Sequence, residues 1–307
     1  MEFLAPATLT DALAAKAEHP DAIAIIGGTD VMVELNFDRQ RPPVLLDLTR
    51  IAELAEWSTE DGHIRLGAAV TYTRVIAELG DALPGLAMAS RTVGSPQIRN
   101  RGTVGGNLGA ASPAGDSHPA LLAADAEVEL SCVGGVRRLP VADFYTGVKK
   151  HAGRSTELIT AVLITPPTGP QQFCKIGSRN AMVISVSAFG LALHPDRKAV
   201  GTGIGSAAPT PRRATEAASF LADALEADGL WESRRPLPEA LAHEFGERVK
   251  AAAEPIDDVR GTAAYRLHSL AVMAKRSLGW AWAEYSTPTG PTAAGDPGGL
   301  DHGSKGE

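Results

Sequence analysis

A short proline-rich segment near the middle of the chain constrains the fold more than any other sequence feature. Residues 165–170 read TPPTGP, and proline both fixes φ and lacks an N–H donor. Neither a helix nor a central strand can run through such a segment, which has the composition of a domain linker. The chain has 307 residues, a length typical of two domains. We therefore predict one domain over residues 1–168 and a second over residues 171–284.

The first domain alternates short apolar runs with helical segments. An apolar run at 22–26 predicts a buried strand that stops at a double glycine, and residues 31–36 predict the helix that follows. Thr8 and Asp11 have capping-box spacing, which marks the start of an earlier helix. Further strands are predicted at 44–48, 63–66, 126–133, 136–139 and 157–164. The alternation indicates an α+β domain with two lobes, about 1–55 and 56–168.

The second domain is predicted to be a smaller α+β unit. Apolar runs at 172–176, 185–193 and 199–204 predict a three-stranded sheet, and helices are expected at 211–225, 237–252 and 261–282. In the last helix an apolar stripe recurs at helical spacing through Leu270, Ala274 and Leu278. Residues 286–307 are rich in Pro, Gly and Thr, so we expect a disordered tail there.

Charge and hydropathy exclude several classes of partner. The chain carries 36 acidic and 29 basic residues, which gives a net charge of −7. Nucleic acids and anionic membranes need clustered Lys and Arg, so we expect neither as a partner. The apolar runs are interrupted by Ser and Gly and are too short to cross a bilayer, which predicts no membrane insertion. The first residues lack a basic segment followed by an apolar stretch, so we expect no signal peptide.

Cysteine and histidine usage restricts the chemistry further. Cys132 and Cys174 are the only cysteines, so the chain has too few thiolates for an iron–sulfur cluster of its own. Isolated cysteines suit a reducing cytoplasm, where they act as small apolar residues. The histidines show neither HxxxH nor HxxE spacing, so we expect no metal site in this chain.

The first of two glycine turns occupies residues 26–30, with the sequence IGGTD. It follows an apolar strand and precedes a predicted helix. Gly27 and Gly28 lack a Cβ, so consecutive backbone N–H groups can converge on one anion. Thr29 adds a hydroxyl group, and the helix that begins there adds a partial positive charge. The turn therefore has the composition of a phosphate-binding loop, although it matches neither GxGxxG nor GxxxxGK[ST].

The second glycine turn occupies residues 102–109, with the sequence GTVGGNLG, and ASPAGD follows at 111–116. Both lie in a stretch, 94–119, that is crowded with Gly, Ser, Asn and Pro and lacks periodicity, so we predict a long irregular segment. The second turn offers another pair of glycine amides, with hydroxyl groups at Thr103 and Ser112 and an amide at Asn107. Asp116 supplies one carboxylate, which suits an alcohol donor better than a phosphate.

Together the two turns and the carboxylate predict a dinucleotide such as FAD. Each turn can hold phosphate oxygens, and Asp116 can accept hydrogen bonds from ribityl or ribose hydroxyl groups. A single GGT more often marks only a turn, because glycine supplies positive φ wherever a turn needs it. The presence of two such turns favours a ligand. His118 is either a ribose contact or, in the interpretation we favour, a polar residue at a helix start.

Three sequence blocks resemble a known family. IGGTD at 26–30, TVGGNL at 103–108 and ASPAGD at 111–116 are similar to the two FAD-pyrophosphate loops of the xanthine dehydrogenase family. The chain resembles in particular the separate FAD-binding medium subunit of bacterial molybdenum hydroxylases such as carbon monoxide dehydrogenase. FCKIGSR at 173–179 and GIGSAAPTPRRA at 203–214 resemble segments of that family's C-terminal flavoprotein domain. The resemblance implies a two-lobed FAD-binding domain of the PCMH/VAO type followed by that smaller domain.

The resemblance also implies a role for each residue of the site. The two glycine turns would hold the pyrophosphate from opposite sides, and Asp116 would accept from FAD hydroxyl groups. Ala68 would line the adenine side, while Ile159 and Lys175 would approach the isoalloxazine ring. The implied cofactor-binding residues are Ile26, Gly27, Gly28, Thr29, Asp30, Val31, Ala68, Thr103, Gly105, Gly106, Asn107, Ser112, Asp116, Ile159 and Lys175. No catalytic side chain and no metal ligand is implied in this chain.

By the same resemblance, FAD in this chain passes electrons from an iron–sulfur small subunit, which carries 2Fe-2S clusters, to an external acceptor. A molybdopterin-binding large subunit would carry the molybdenum cofactor and oxidise the substrate. The resemblance also implies that the subunits assemble as a dimer of heterotrimers in the cytoplasm. Residues 180–182, NAM, depart from the acidic residues of many relatives, which leaves NAD, a quinone, oxygen or another carrier as acceptor. The alternatives are a self-sufficient flavin oxidoreductase with a small substrate in its own cleft, and a scaffold subunit without FAD.

Overall fold

The structure, a computed structural model, describes residues 1–287, so the tail predicted at 286–307 lies outside the described residues apart from Ser286 and Thr287. The strands form a three-stranded sheet near the N-terminus, a five-stranded sheet after it, and another three-stranded sheet in the last third. Helices pack on these sheets, which confirms the predicted α+β fold class. Within residues 1–287, no helix has the length and apolar character that crossing a membrane requires.

The N-terminal lobe is a small parallel sheet with helices packed on it. Its elements are β1 (Glu2–Leu4), α1 (Leu9–Glu18), β2 (Ile23–Ile25), α2 (Val31–Asn36), β3 (Val44–Asp47) and α3 (Ala52–Ala55). The strand order is β1-β3-β2, and both outer strands run parallel to β3. Thr8 Oγ1 accepts a hydrogen bond from the Asp11 amide at 3.1 Å, so α1 begins at the predicted cap. Ala12 of α1 and Leu46 of β3 are fully buried between the helix and the sheet.

A five-stranded antiparallel sheet forms the second lobe. Its elements are β4 (Trp57–Glu60), β5 (His63–Gly67), α4 (Tyr72–Glu78), α5 (Pro84–Thr92), α6 (Pro96–Arg99), α7 (Val104–Ala110), α8 (Ser117–Ala123), β6 (Glu127–Cys132), β7 (Gly135–Pro140), α9 (Val141–Phe144), β8 (Tyr145–Gly147), β9 (Lys150–His151) and β10 (Leu158–Ile164). The strand order is β4-β5-β10-β6-β7, and β8 and β9 form a separate hairpin. The predicted hairpin between β6 and β7 is present.

The prediction of an irregular segment over 94–119 is wrong, because this stretch contains α6, α7 and the beginning of α8. Hydroxyl side chains start two of these helices. Ser95 accepts a hydrogen bond from the Ile98 amide at 3.3 Å, and Thr103 accepts one from the Gly106 amide at 2.9 Å. Glycine and proline have low helix propensity, but tertiary burial of residues such as Leu108 overrides it.

The last third of the chain has the predicted three-stranded antiparallel sheet with helices on it. Its elements are β11 (Gln171–Ile176), β12 (Ser187–His194), β13 (Ala199–Gly205), α10 (Thr215–Ala227), α11 (Leu230–Ser233), α12 (Glu239–Ala251) and α13 (Ala263–Ser286), with a 3-10 turn at Pro195–Arg197. The stripe predicted on α13 is buried at Leu270, Ala274 and Leu278. Helix α10 begins later than predicted because Arg212 still pairs with Ile204 of β13.

The sheet of the last third packs directly on α8. A Cβ at Gly203 of β13 would overlap the carbonyl oxygen of Pro119, so only glycine permits this approach of two backbones. Beyond the end of α8, Asp125 forms ion pairs with Arg197 and Arg213. Helix α8 is therefore held at its C-terminal end and along its length. These contacts fix Asp116, the N-cap residue of α8, relative to β11.

Candidate functional site

The first glycine turn connects β2 to α2. Gly28 has a φ of +73°, a left-handed conformation that glycine adopts without strain. Gly27 lies against the backbone of Arg101, and a Cβ at Gly27 would overlap the Arg101 carbonyl oxygen. The first turn therefore rests on residues that directly precede Thr103, so the fold brings the two predicted turns together.

The other predicted residues of the first turn differ in exposure. Ile26 and Thr29 are half-buried, and Asp30 is exposed at the N-cap position of α2. The Asp30 side chain makes no capping hydrogen bond. Val31 is the first residue of α2 and is half-buried. These side chains therefore leave the face of the turn polar and accessible.

The second glycine turn begins as a capped helix. Thr103 Oγ1 accepts a hydrogen bond from the Gly106 amide at 2.9 Å. Because that bond uses the Gly106 N–H, the first-turn amides of Val104 and Gly105 are the ones without an intrahelical partner. Gly106 is exposed, and among residues 1–287 a Cβ there would contact only the Thr103 hydroxyl oxygen, 3.1 Å away. The outer face of the turn is open space that a larger side chain would fill.

Two predicted apolar residues lie beneath α7. Gly105 packs on Ala68, which directly follows β5, and a Cβ at Gly105 would lie 2.6 Å from the Ala68 Cβ. Ile159 lies on β10 where the pairing with β6 is irregular, and its Cδ1 is 3.7 Å from the Cβ position of Gly109. Glycines therefore let α7 approach the sheet closely, and Ala68 and Ile159 form the surface on which it rests.

Polar side chains connect α7 to α8. Asn107 Oδ1 accepts a hydrogen bond from Ser117 Oγ at 2.5 Å, so the NH₂ group of Asn107 is the part left for a ligand. Ser112 Oγ accepts a hydrogen bond from the Ala114 amide at 3.3 Å, which leaves its hydroxyl hydrogen available. Both predicted residues therefore keep a donor while their oxygens hold the local backbone in place.

Asp116 and Lys175 form a buried ion pair between two parts of the chain. Lys175 Nζ on β11 is 2.5 Å from Asp116 Oδ2 at the N-cap of α8, and each side chain is only 8% exposed. The Lys175 ammonium also donates to the Thr92 carbonyl oxygen at 3.2 Å. Thr92 Oγ1 donates to Asp116 Oδ2 at 3.1 Å. Residues from α5, α8 and β11 therefore meet at one point.

The Asp116 carboxylate is only half satisfied. Its Oδ1 atom is buried and has no hydrogen-bond partner among residues 1–287. Burial raises the pKa of Asp116, and the charge of Lys175 opposes that rise. A buried carboxylate oxygen without a donor costs free energy. This atom therefore marks a place where a ligand hydroxyl group would be stabilised.

A cavity of about 220 Å³ lies at the first glycine turn. Its lining residues are Phe3, Ile25, Ile26, Gly27, Gly28, Met32, Asp47, Thr49 and Arg101. The predicted set lacks six of these residues: Phe3, Ile25, Met32, Asp47, Thr49 and Arg101. Arg101 was within reach of prediction because it adjoins the second turn, whereas Phe3 and Thr49 line the cavity only because β3 pairs with β2 and β1 pairs with β3.

A larger cavity, of about 530 Å³, lies in the last third of the chain. It is lined mainly by apolar atoms, and its residues include Leu237, Ala242, Trp282 and Ala283. None of the predicted site residues lines it. We therefore place the functional site at the glycine turns, where backbone amides and a partly satisfied carboxylate converge.

Two protein families match successive parts of the chain. Residues 1–167 match the FAD binding domain in molybdopterin dehydrogenase. Residues 172–281 match the CO dehydrogenase flavoprotein C-terminal domain. The two matches together contain every residue of the predicted site.

Individual proteins show the same similarity. The xanthine dehydrogenase FAD-binding subunit of Escherichia coli O157:H7 is 31% identical over 284 residues, which cover 89% of this chain and 92% of that protein. The nicotinate dehydrogenase FAD-subunit of Eubacterium barkeri is 35% identical over 210 residues, 66% of this chain and 71% of that protein. A chain of the reconstituted CO dehydrogenase from Oligotropha carboxidovorans superposes with a TM-score of 0.83 at 26% identity, and the match covers 92% of this chain and 98% of that one.

Proposed function

Because the chain belongs to the family of FAD-binding subunits of molybdopterin dehydrogenases, we propose that it holds one FAD across its two glycine turns and relays electrons through it. It is the electron-transfer subunit of a heteromeric molybdenum hydroxylase. The contact between Gly27 and Arg101 supports this position for FAD, because it brings the two glycine turns side by side.

The pyrophosphate of FAD binds between the turns. The amides of Gly27 and Gly28 face it from the first turn, and those of Val104 and Gly105 face it from the second. The open outer face of Gly106 leaves room for the phosphates beside the capped helix. These residues fit a phosphate group, since they offer backbone donors and no nearby Cβ that would block close approach.

The hydroxyl groups of FAD bind at the second turn. Asp116 Oδ1 accepts a hydrogen bond from one of them, which supplies the donor that this buried atom lacks among residues 1–287. The NH₂ group of Asn107 and the hydroxyl of Ser112 donate to oxygen atoms nearby. This division of roles leaves the other carboxylate oxygen of Asp116 free to hold Lys175.

Lys175 and Ile159 orient the isoalloxazine ring. When bound, FAD supplies the redox chemistry, because it accepts electrons in pairs and can release them singly. Lys175 places a positive charge in a buried position, and this charge would stabilise negative charge on a flavin held beside it. Ile159 adds an apolar surface next to α7. The chain itself therefore binds, orients and shields the cofactor.

The remaining redox groups belong to partner subunits. The chain has only two cysteines, fewer than the four thiolates of an ordinary iron–sulfur cluster. Electrons therefore reach FAD from an iron–sulfur subunit with 2Fe-2S clusters, and a molybdopterin-binding subunit oxidises the substrate. The assembly is a dimer of heterotrimers in the cytoplasm. Within this chain, residues 1–168 form the FAD-binding domain and residues 171–284 the domain that brings Lys175 to it.

Purification of the full chain tests this function. We expect bound flavin with an absorbance band at about 450 nm. We also expect one FAD per chain when the flavin is released from the protein and quantified. We also expect no turnover of small substrates by the chain alone, but reduction of its flavin when the iron–sulfur and molybdenum subunits and their substrate are added. A colourless chain that fails to bind added FAD would contradict the proposal. Substrate turnover by the isolated chain would instead identify a self-sufficient oxidoreductase.

A further inference from the structure

The hairpin of β8 and β9, residues 145–151, contacts the helices that follow both glycine turns. Its strands pair Tyr145 with His151 and Gly147 with Lys150. Its base contacts α8, which comes after the second turn and the ASPAGD segment. Its tip contacts α2, which comes directly after the first turn. The hairpin therefore connects α2 to α8, the helices that follow the two glycine turns.

At the tip, an ion pair connects the hairpin to α2. Lys149 Nζ is 2.7 Å from Glu34 Oε1, and the Glu34 side chain is only 12% exposed. The hydrogen bond from Lys149 holds the pKa of Glu34 below its ordinary value. Arg39, another cation near Glu34, is more distant at 3.8 Å and belongs to the same lobe as α2. Lys149 is therefore the cation that ties α2 to the hairpin.

At the base, a buried hydrogen bond connects the hairpin to α8. Tyr145 Oη and His118 Nδ1 are 2.6 Å apart, and the two rings meet edge to face with centroids 4.9 Å apart. His118 also touches the ASPAGD segment, since a Cβ at Gly115 would overlap its Nε2 atom. The His151 ring stacks on Phe144 at 4.9 Å, which fixes the other strand of the hairpin. His118 is the second residue of α8, in agreement with the helix-start role favoured for it, and its side chain is fully buried.

These two attachments complement the direct contact between the turns. Gly27 touches the Arg101 backbone, and the lobes also meet where the Ala69 amide donates to the Leu54 carbonyl oxygen at 2.8 Å. Neither of these contacts involves α2. The path from Glu34 through the hairpin to His118 is a further attachment, and it joins α2 to α8. It therefore holds the helices that follow the two turns, and converging donors must be held to within about 0.5 Å to act on one group.

We propose that the hairpin is a clasp that sets the angle between the two glycine turns, so that Lys149, Glu34, Tyr145 and His118 are positioning residues for bound FAD. The inference rests on the proposed function, since it assumes that the two turns share one ligand. None of the four residues needs to touch FAD. They act through α2 and α8, and loss of the clasp shows first as faster release of FAD.

Substitution of Lys149 tests the clasp. In the full chain loaded with FAD, Lys149→Met should raise the FAD dissociation rate by about fivefold or more, because it breaks one attachment. The rate is measured by diluting the loaded chain into buffer without FAD and following the rise in flavin fluorescence as FAD is released, with the released FAD also quantified after separation from the protein. Lys149→Arg keeps the ion pair and should restore a rate within about twofold of the wild-type value.

The neighbouring Lys150 provides a matched control. It lies in the same hairpin, is exposed, and forms no ion pair among residues 1–287, so Lys150→Met removes the same charge without opening the clasp. Equal rates for wild type and Lys149→Met would overturn the inference, and so would equal increases in both lysine variants. Should Lys149→Met not fold, Glu34→Gln takes its place with the same expectations. A wild-type chain that binds no FAD would overturn the proposed function itself, which is a different outcome.

Discussion

The two glycine turns share a sequence pattern but differ in what holds them. The second turn is organised by residues close to it in sequence, with Thr103 capping its helix and Asn107 bonded to α8. The first turn lacks a side-chain cap at Asp30. It depends instead on Arg101 from the second lobe and on Lys149 from the hairpin. The second turn is therefore preorganised, whereas the first is placed by contacts from distant parts of the chain.

This difference teaches that two similar glycines can serve different purposes. Gly106 faces open space, so its missing side chain leaves room for the FAD that we propose. Gly27 faces the Arg101 backbone, so its missing side chain serves the packing of the protein. Substitutions at these two positions should therefore separate loss of FAD from loss of stability.

The largest expected effect is at Gly106. Gly106→Val would fill the path of the pyrophosphate and should weaken FAD binding by about 3 kcal/mol or more, roughly a hundredfold. The free energy of unfolding of the FAD-free chain should change by less than about 1 kcal/mol, because the new side chain points into open space. Flavin content after purification and denaturant unfolding measure the two quantities. Normal flavin occupancy in this variant would remove Gly106 from the site.

Gly27 should behave in the opposite way. Gly27→Val forces a side chain into the Arg101 carbonyl oxygen, so we expect a loss of about 1–3 kcal/mol or more in the free energy of unfolding, together with loss of FAD. Gly279→Val on α13 is the control for valine in a helix, since among residues 1–287 nothing lies within 4 Å of its Cβ position. Equal stability of the Gly27 and Gly106 variants would break the comparison between the turns.

Asp116 tests the ligand contacts of the second turn. Asp116→Asn should weaken FAD binding by about 1–3 kcal/mol, because a charge-assisted hydrogen bond becomes a neutral one. It should also lower stability, since the Lys175 ammonium stays buried without its counter-charge. Titration calorimetry with FAD gives the affinity. Asp125→Asn, at the other end of α8, removes ion pairs to the last third of the chain and should lower stability with FAD affinity unchanged.

The effect that is smallest near neutral pH is proton binding by His118, one of the four clasp residues. Burial lowers the pKa of His118 from 6.5 to about 3, so the unfolded chain binds a proton there at pH values where the folded chain does not. The free energy of unfolding should therefore fall as pH drops from about 6.5 toward 3, by up to about 1.4 kcal/mol per pH unit. Unfolding of wild type and His118→Phe at several pH values measures this. Parallel curves for the two proteins would contradict it.

Much of the fold follows from short-range patterns in the sequence. The strand before the first glycine turn, the cap at Thr8 and the apolar stripe of α13 were all predictable, because each depends on neighbours within a few residues. Helix α7 was not, since its glycines oppose helix formation until Val104 and Leu108 are buried. Helix α6 was missed as well; it is a single turn without a buried residue, and Ser95 caps it. The low helix propensity of residues 94–119 therefore led to the wrong prediction of an irregular segment.

The predicted set of site residues contained the main polar groups but not their connections. Asp116 and Lys175 were both in the set through family resemblance, yet no local pattern indicates that they form an ion pair. The pairs Lys149–Glu34 and Tyr145–His118 gave no signal at all. Each joins residues far apart in sequence, and such pairs depend on how the sheets and helices pack.

The amino-acid sequence by itself determined the turn at Gly28, because its φ of +73° is a conformation that favours glycine. It also determined that the chain has two cysteines, fewer than the four thiolates of an ordinary iron–sulfur cluster. The tertiary structure alone decided that Gly27 rests on Arg101, that Lys175 reaches Asp116 and that a hairpin joins α2 to α8. Contacts of this kind form only after chain segments far apart in sequence have packed together, so local propensity carries no record of them.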